Sequence, residues 1–220
     1  IGYAYFNWQE RAETEKKKTE AEQLSKEAEL YKLRQQLQPH FLFNALNSIN
    51  ALIGTRPAEA REMVQQLSDF LRTTLKKEEQ QWIQLEDEIH SLQLYLEIEK
   101  VRFGHRLHTQ LEFDATAWKM QVPALLLQPL VENAIKFGLY DTTGEARIYL
   151  KADAADGQLI ITVENPFDVE TAAAQKGTGF GLSSVQRRLY LMFGRNDLLQ
   201  TSTKENIFIT KLLIPQPTGV

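Results

Sequence analysis

Residues 34–48, RQQLQPHFLFNALNS, place a proline inside a stretch that otherwise reads as helix, and their reading organises the rest of the chain. Leu30, Leu33 and Leu37 mark one helical face in 3,4 spacing, with charged and amide residues between them. A proline in a helix interior loses a hydrogen bond, clashes with the preceding turn and costs ~3 kcal/mol, yet helical spacing resumes over residues 41–53. At about 100° per residue, the leucine face before Pro39 and the set Leu42, Leu46, Ile49, Ile53 after it lie on nearly opposite sides, so the core-facing side is expected to switch at the proline. His40, Asn44 and Asn47, spaced 4 and 3, then project as neighbours from the side the leucines vacate. A polar patch on a surface helix would show the same pattern, but it would not need the proline.

This segment resembles the phosphoacceptor motif of the LytS/YehU-type sensor histidine kinases, in which a helix carries Gln-Pro-His-Phe-Leu-Phe-Asn followed by Leu-Asn; here the match is residue for residue. The resemblance implies that His40 is the imidazole that attacks the γ-phosphate of ATP, and that Asn44, one turn on, assists the transfer. Phe41 stands where many other histidine kinases carry an acidic base, as it does throughout the LytS type.

The chain has 220 residues, 43% of them hydrophobic, enough for one large or two modest domains. With 25 Lys+Arg against 29 Asp+Glu, a net charge of −4 and no basic tract, direct binding to nucleic acid or to an anionic membrane is not expected. The lack of cysteine excludes disulfides, thiolate catalysis and most structural zinc sites, and fits a cytosolic compartment. No run of 18 apolar residues is present, so the sequence contains no membrane-spanning helix. Residues 1–8, IGYAYFNW, are aromatic-rich and abut the highly charged residues 9–32, as the interfacial end of a transmembrane helix would. An ordinary hydrophobic tail reads the same way; the family likeness favours the cytoplasmic portion of an inner-membrane protein.

Residues 9–37 lack Gly and Pro and offer two overlapping stripes, Leu24, Ala28, Tyr31 and then Leu30, Leu33, Leu37. A helix this polar either stands solvated on its own or, as the more natural solution, pairs in a parallel dimeric coiled coil feeding the His40 helix. Gly54 ends the first helix, and Thr55-Arg56-Pro57 caps a second whose apolar face is Ala60, Met63, Val64, Leu67, Phe70, Leu71 and Leu75. Two such hairpins would dimerise as a four-helix bundle. A third helix is expected from about residue 86 to 103, after Trp82-Ile83-Gln84-Leu85. Its Leu-Glu-Asp-Glu and Ile-Glu-Lys-x-Arg-Phe-Gly also resemble the family.

From Leu107 the texture changes. Residues 107–114, 146–152 and 158–164 read as strands with Asp156-Gly157 as a hairpin turn, and a final pair spans 198–203 and 207–214. An apolar helix over 123–139 carries Gln-Pro-Leu-Val-Glu-Asn-Ala-Ile-Lys-Phe-Gly, and Gly177-Thr-Gly-Phe-Gly-Leu-Ser precedes a helix to Phe193. Alternating glycines before a helix let backbone amides approach a phosphate, while Asn133, with Glu132 and Lys136, sets a metal-type oxygen beside a cation. Each feature alone is weak, since glycine turns and core amides are common. Together they point to nucleotide with Mg²⁺.

Their order resembles the GHKL ATPase fold. The resemblance implies that Asn133 holds Mg²⁺, Lys136 reaches phosphate, Phe137 lies beside adenine, and Gly177, Gly179, Gly181 and Leu182 form the phosphate-side lid. Arg187 and Arg188 are further phosphate candidates, though a solvated or ion-paired surface is the better account of them. The sequence departs from the family where Asp-x-Gly-x-Gly is expected: here stands Glu164-Asn165-Pro166-Phe167-Asp168, without the glycines. Asn165 is the candidate adenine reader, since its amide both donates and accepts and strand alternation turns Glu164 to the other face.

The expected architecture is therefore α+β: residues 1–29 a membrane-proximal signalling helix, 30–105 the dimerisation and phosphoacceptor helices, and 106–220 a GHKL-type α/β-sandwich. The expected function is a homodimeric sensor histidine kinase of a two-component system, using ATP and Mg²⁺ and passing phosphate to a response regulator of LytTR type. The alternative is a non-catalytic dimeric scaffold with a degenerate ATP site; a stand-alone ATPase switch is disfavoured by the His40 motif.

Overall fold

The computed structural model describes Glu15 and residues 39–77, 80–140, 144–167 and 180–216. The coiled-coil stripes, the helix running into Pro39, and Gly177 and Gly179 lie outside the described residues. By its contacts the chain divides into two compact units, residues 1–47 and 48–220.

Helices come first. The described part of α1 is Pro39–Ile53, and α2 is Pro57–Lys77. In the turn between them Thr55 and Arg56 N–H both donate to Leu52 O, so the chain reverses at Gly54, as its sequence position predicts. The stripe buried in α1 is Phe41, Ala45, Ile49, Leu52, whereas Leu46 and Ile53 of the expected set stand 57% and 58% exposed and Leu42 is only half-buried. α2 divides in the same way: Ala60, Met63, Leu67 and Phe70 are buried with Thr74 and Lys77, while Val64 and Leu75 face outward. Two apolar stripes about one residue apart around a helix have the same period, so spacing alone cannot say which one its own chain covers.

The short strand β1 (Trp82–Gln84) leads into α3 (Leu85–Phe103), which Gly104 ends at φ 58°. β1 pairs antiparallel with β3 (Gln121–Pro123), Ile83 opposite Val122. This ladder crosses residue 105, and α3 packs against both α2 and the sheet-rich part of the chain.

The main sheet has five strands in the order β2-β4-β5-β7-β6: β2 (Leu107–Phe113), β4 (Ala146–Ala155), β5 (Gln158–Pro166), β6 (Leu199–Lys204) and β7 (Ile207–Pro215). Only β2 and β4 run parallel, and the crossover that this requires carries α4 (Gln128–Ile135). Alternation buries Ile148 and Leu150 of β4, Leu159, Ile161 and Val163 of β5, and Leu212 and Ile214 of β7 on one face. α4 packs against β4 and β5, and α5 (Phe180–Phe193) against α4 and β6, giving one helix layer on one sheet. Each of these core side chains contributes about 1.5–3 kcal/mol. The β4–β5 turn has Asp156 and Gly157 at φ 51° and 71°, the two positive angles of the tight hairpin turn read from Asp-Gly.

The helix expected over 123–139 is shorter. Pro123 closes β3, Leu125 adopts φ 59°, the helix occupies Gln128–Ile135 with Pro129 in its first turn, and Lys136–Tyr140 widen into a π-turn. The apolar run gave no sign of the left-handed residue.

Candidate functional site

His40 is exposed on α1, and Asn44, one turn on, brings its Nδ2 to 3.3 Å from each ring nitrogen. An amide can donate to an unprotonated ring nitrogen or accept from a protonated one, so Asn44 can hold either neutral tautomer. Asn47 is exposed on the same helix. These residues belong to the first unit and those that follow to the second.

On α4 the apolar phase sets the polar one. Leu130, Val131, Ala134 and Ile135 are buried, which leaves Asn133 and Lys136 half-buried at the helix margin. Lys136 Nζ stands 5.7 Å from the Phe137 ring centroid, a cation–π pair within the π-turn. Gly138 is where the π-turn meets the sheet: a Cβ there would lie 3.1 Å from Ala146 Cβ and 4.0 Å from Pro166 Cδ. The π-turn therefore packs over the start of β4 and the end of β5, where Asn165 lies.

Asn165 is 3% exposed, on the face of β5 that carries Leu159, Ile161 and Val163, and its Nδ2 donates to Pro166 O at 2.8 Å. Glu164 alternates to the opposite face, across from Tyr149. Gly181, in the first turn of α5, lies so close to α4 that a Cβ would sit 3.5 Å from Pro129 O, and Leu182 beside it is half-buried. Thus Asn133, Lys136, Phe137, Asn165, Gly181 and Leu182 belong to adjoining elements on one side of the sheet. Arg187 is exposed and 5.8 Å from the Tyr190 ring centroid, whereas Arg188 turns inward and donates to Ala124 O at 2.6 Å.

Among the described residues no cluster of three His, Cys, Asp or Glu could hold a metal by itself. A lone carboxamide oxygen fits Mg²⁺ that takes its other ligands from phosphates and water, the usual state of this ion with nucleotides.

Sequence reasoning missed two charged residues below this site. Glu88 of α3 is 2% exposed, and its two carboxylate oxygens accept from Leu125 N–H and Leu127 N–H, each at 3.1 Å. Lys77, the last residue of α2, lies 3.6 Å from Glu88 and donates to Asp87 O. Burial pulls the Lys77 ammonium below its ordinary value, and Glu88 and Asp87 oppose that pull. Glu88 sits in the apolar phase of α3 with Leu85, Ile89 and Leu92, a charge at a core position that could have marked it.

Residues 28–107 match the profile of the histidine kinase family. The chain is similar to the sensor protein LytS of Staphylococcus saprophyticus, at 35% identity over 188 residues that make up 80% of this chain and 32% of that protein. It is also similar to the sensor histidine kinase BtsS of Escherichia coli K12, 36% identical over 168 residues, 76% of this chain and 30% of that one. The chain spans about a third of the length of the curated relatives it matches. Among solved structures it is similar to the catalytic domain of the histidine kinase ThkA, with TM-score 0.45 and 23% identity, covering 61% of this chain and 95% of that one.

Proposed function

The chain belongs to the LytS-type sensor histidine kinase family, and from that premise we propose that it autophosphorylates His40 from Mg·ATP and passes the phosphoryl group to an aspartate of a response regulator, of LytTR type on the family likeness. The observation that carries this reading is the exposed His40 imidazole with the Asn44 amide at both ring nitrogens. In this reading the Asn44 Nδ2 donates to the unprotonated ring nitrogen and steadies the ring until that nitrogen's lone pair turns to phosphorus. That nitrogen bonds to the γ-phosphorus, the bond to the β–γ bridging oxygen breaks, ADP leaves with its electron pair, and the ring N–H proton is released to water.

Phosphoryl transfer depends chiefly on position and charge, and the second unit supplies both in this reading. Asn133 gives one oxygen to Mg²⁺, which when bound neutralises charge on the phosphate oxygens. Lys136 meets phosphate, Phe137 flanks the adenine, Asn165 reads its edge, and Gly177, Gly179, Gly181 and Leu182 close over the phosphates. The division into residues 1–29, 30–105 and 106–220 belongs to the same proposal, with β1 and α3 as the connecting layer. So does membrane anchoring of the whole protein, although among the described residues no helix is long and apolar enough to cross a membrane.

A second reading, a dimeric scaffold with a degenerate nucleotide site, draws on one observation: the Asn165 amide is already engaged with Pro166 O, in a loop without the family's glycines. Incubation with γ-labelled ATP separates the two. Acid-labile, alkali-stable label is expected on the wild type and none on His40→Gln, which should still bind Mg·ATP. Asn133→Ala should lower both binding and label. Label retained on His40→Gln would sink the assignment, and no nucleotide binding in the wild type would select the scaffold.

A further inference from the structure

The loop from Pro123 to α4 leads directly into the helix that carries Asn133 and Lys136, and its backbone is held from two sides. Leu125 adopts φ 59°, a left-handed conformation that costs a non-glycine residue about 1–2 kcal/mol and persists only when its surroundings impose it. Glu88 imposes it, one carboxylate oxygen on Leu125 N–H and the other on Leu127 N–H, the residue before α4. From the other side Arg188 of α5 holds Ala124 O. Glu88 is itself buried and has its cation in Lys77, the last residue of α2. Burial lowers the Arg188 guanidinium, and Glu88 is the charge that opposes it. One carboxylate thus joins the end of the second hairpin helix, the entry to the nucleotide helix and, through the loop, the helix after the lid.

We propose that Glu88 is a positioning residue that fixes the entry to α4, and that Lys77 couples the end of α2 to nucleotide binding through it. This rests on the nucleotide reading of Asn133 and Lys136. Glu88→Gln keeps the shape but offers one acceptor to two N–H groups, so one is orphaned, Leu125 is released and α4 loses its fixed start. Lys77→Met fills the same space and keeps both acceptors, but leaves a buried carboxylate without its cation. If the pair only held the fold together, both changes would lower the unfolding temperature and leave the folded protein's affinity for nucleotide alone. Coupling predicts that affinity moves.

The test is calorimetric titration of Mg·ATP into the 220-residue chain, below the unfolding range of every variant as read from thermal melts. Glu88→Gln should raise the dissociation constant about tenfold and Lys77→Met about threefold. The double variant should bind no worse than Glu88→Gln, because Lys77 acts only through that carboxylate. Should Glu88→Gln fail to fold, Lys77→Met still decides, since it leaves both loop hydrogen bonds in place. Constants within about twofold of wild type for the folded variants, or additive effects in the double, overturn the proposal. A wild type that binds no Mg·ATP overturns the nucleotide reading and this coupling with it, whereas wild-type binding with unmoved variants overturns the coupling alone.

Discussion

At the scale of single residues, Asn165 carries the sharpest specificity question. Its Nδ2 is committed to Pro166 O, so in the kinase reading Oδ1 is the atom free to accept from the adenine amino group, a neutral contact weaker than the carboxylate the family uses. Asn165→Ala is predicted to weaken ATP binding by about 1–2 kcal/mol and to narrow any preference over GTP. Glu164→Gln, on the opposite face, should change little. Parallel ATP and GTP titrations check this, and the reverse ranking would move the contact to Glu164. Glu99 poses a different question. It is 2% exposed, and burial pushes its carboxyl from an ordinary 4.5 up to about 7, with Arg102 at 3.7 Å opposing. The folded chain therefore keeps a proton that the unfolded chain releases above its ordinary value. The stability this confers is full below about pH 4.5 and is lost as pH rises through about 7. Relative to wild type, Glu99→Gln should spare roughly 2–3 kcal/mol of that loss between about pH 5 and 8. Urea unfolding at the two pH values measures it, and parallel pH slopes for the two proteins would refute it.

At the scale of elements, the helices present apolar stripes that the other described residues leave exposed. Phe43, Leu46 and Ile53 of α1 fall 3 and 7 residues apart on one side, and Val64 and Leu75 of α2 lie three turns apart. Ile53 and Val64 border a groove of about 430 Å³ together with Ile49, Ala60 and Arg61. The four-helix dimer expected of two such hairpins would cover these stripes, each Leu or Ile contributing ~1.5–3 kcal/mol to association. Leu46→Glu combined with Ile53→Glu should raise the dimer dissociation constant at least about a hundredfold and leave helical circular dichroism unchanged, because neither side chain belongs to the chain's own core. Light scattering across a concentration series reads this directly; an unshifted mass would place the interface elsewhere. Turn chemistry shows how local signals differ in visibility. Asp156-Gly157 announced its hairpin, whereas Glu205 and Asn206 make the same kind of turn at φ 48° and 58° with no glycine to mark it.

At the scale of the molecule, the α+β architecture was legible because periodicity is a local property: period near 3.6 through α2 and α3, period 2 through β4, β5 and β7. Sheet order was not, since nothing in β2 says that its neighbour is β4, parallel and across an intervening helix. The candidate residues were found by motif, and Asn133, Lys136, Phe137, Asn165 and Gly181 do lie on adjoining elements, yet the groups beneath them were missed. Glu88 and Lys77 are 11 residues apart in the chain and meet only because α2 and α3 pack together. The sequence by itself determined most of the helix and strand segments, where the chain turns at Gly54 and Asp156-Gly157, and which side chains are candidates for the chemistry, because each depends on neighbours within a few residues. Only the tertiary structure decided which of two apolar stripes on α1 is buried, that Leu125 is left-handed before α4, and that a buried carboxylate holds it there. Those outcomes depend on groups brought together from distant parts of the chain, where burial and charge, not spacing, set the energy.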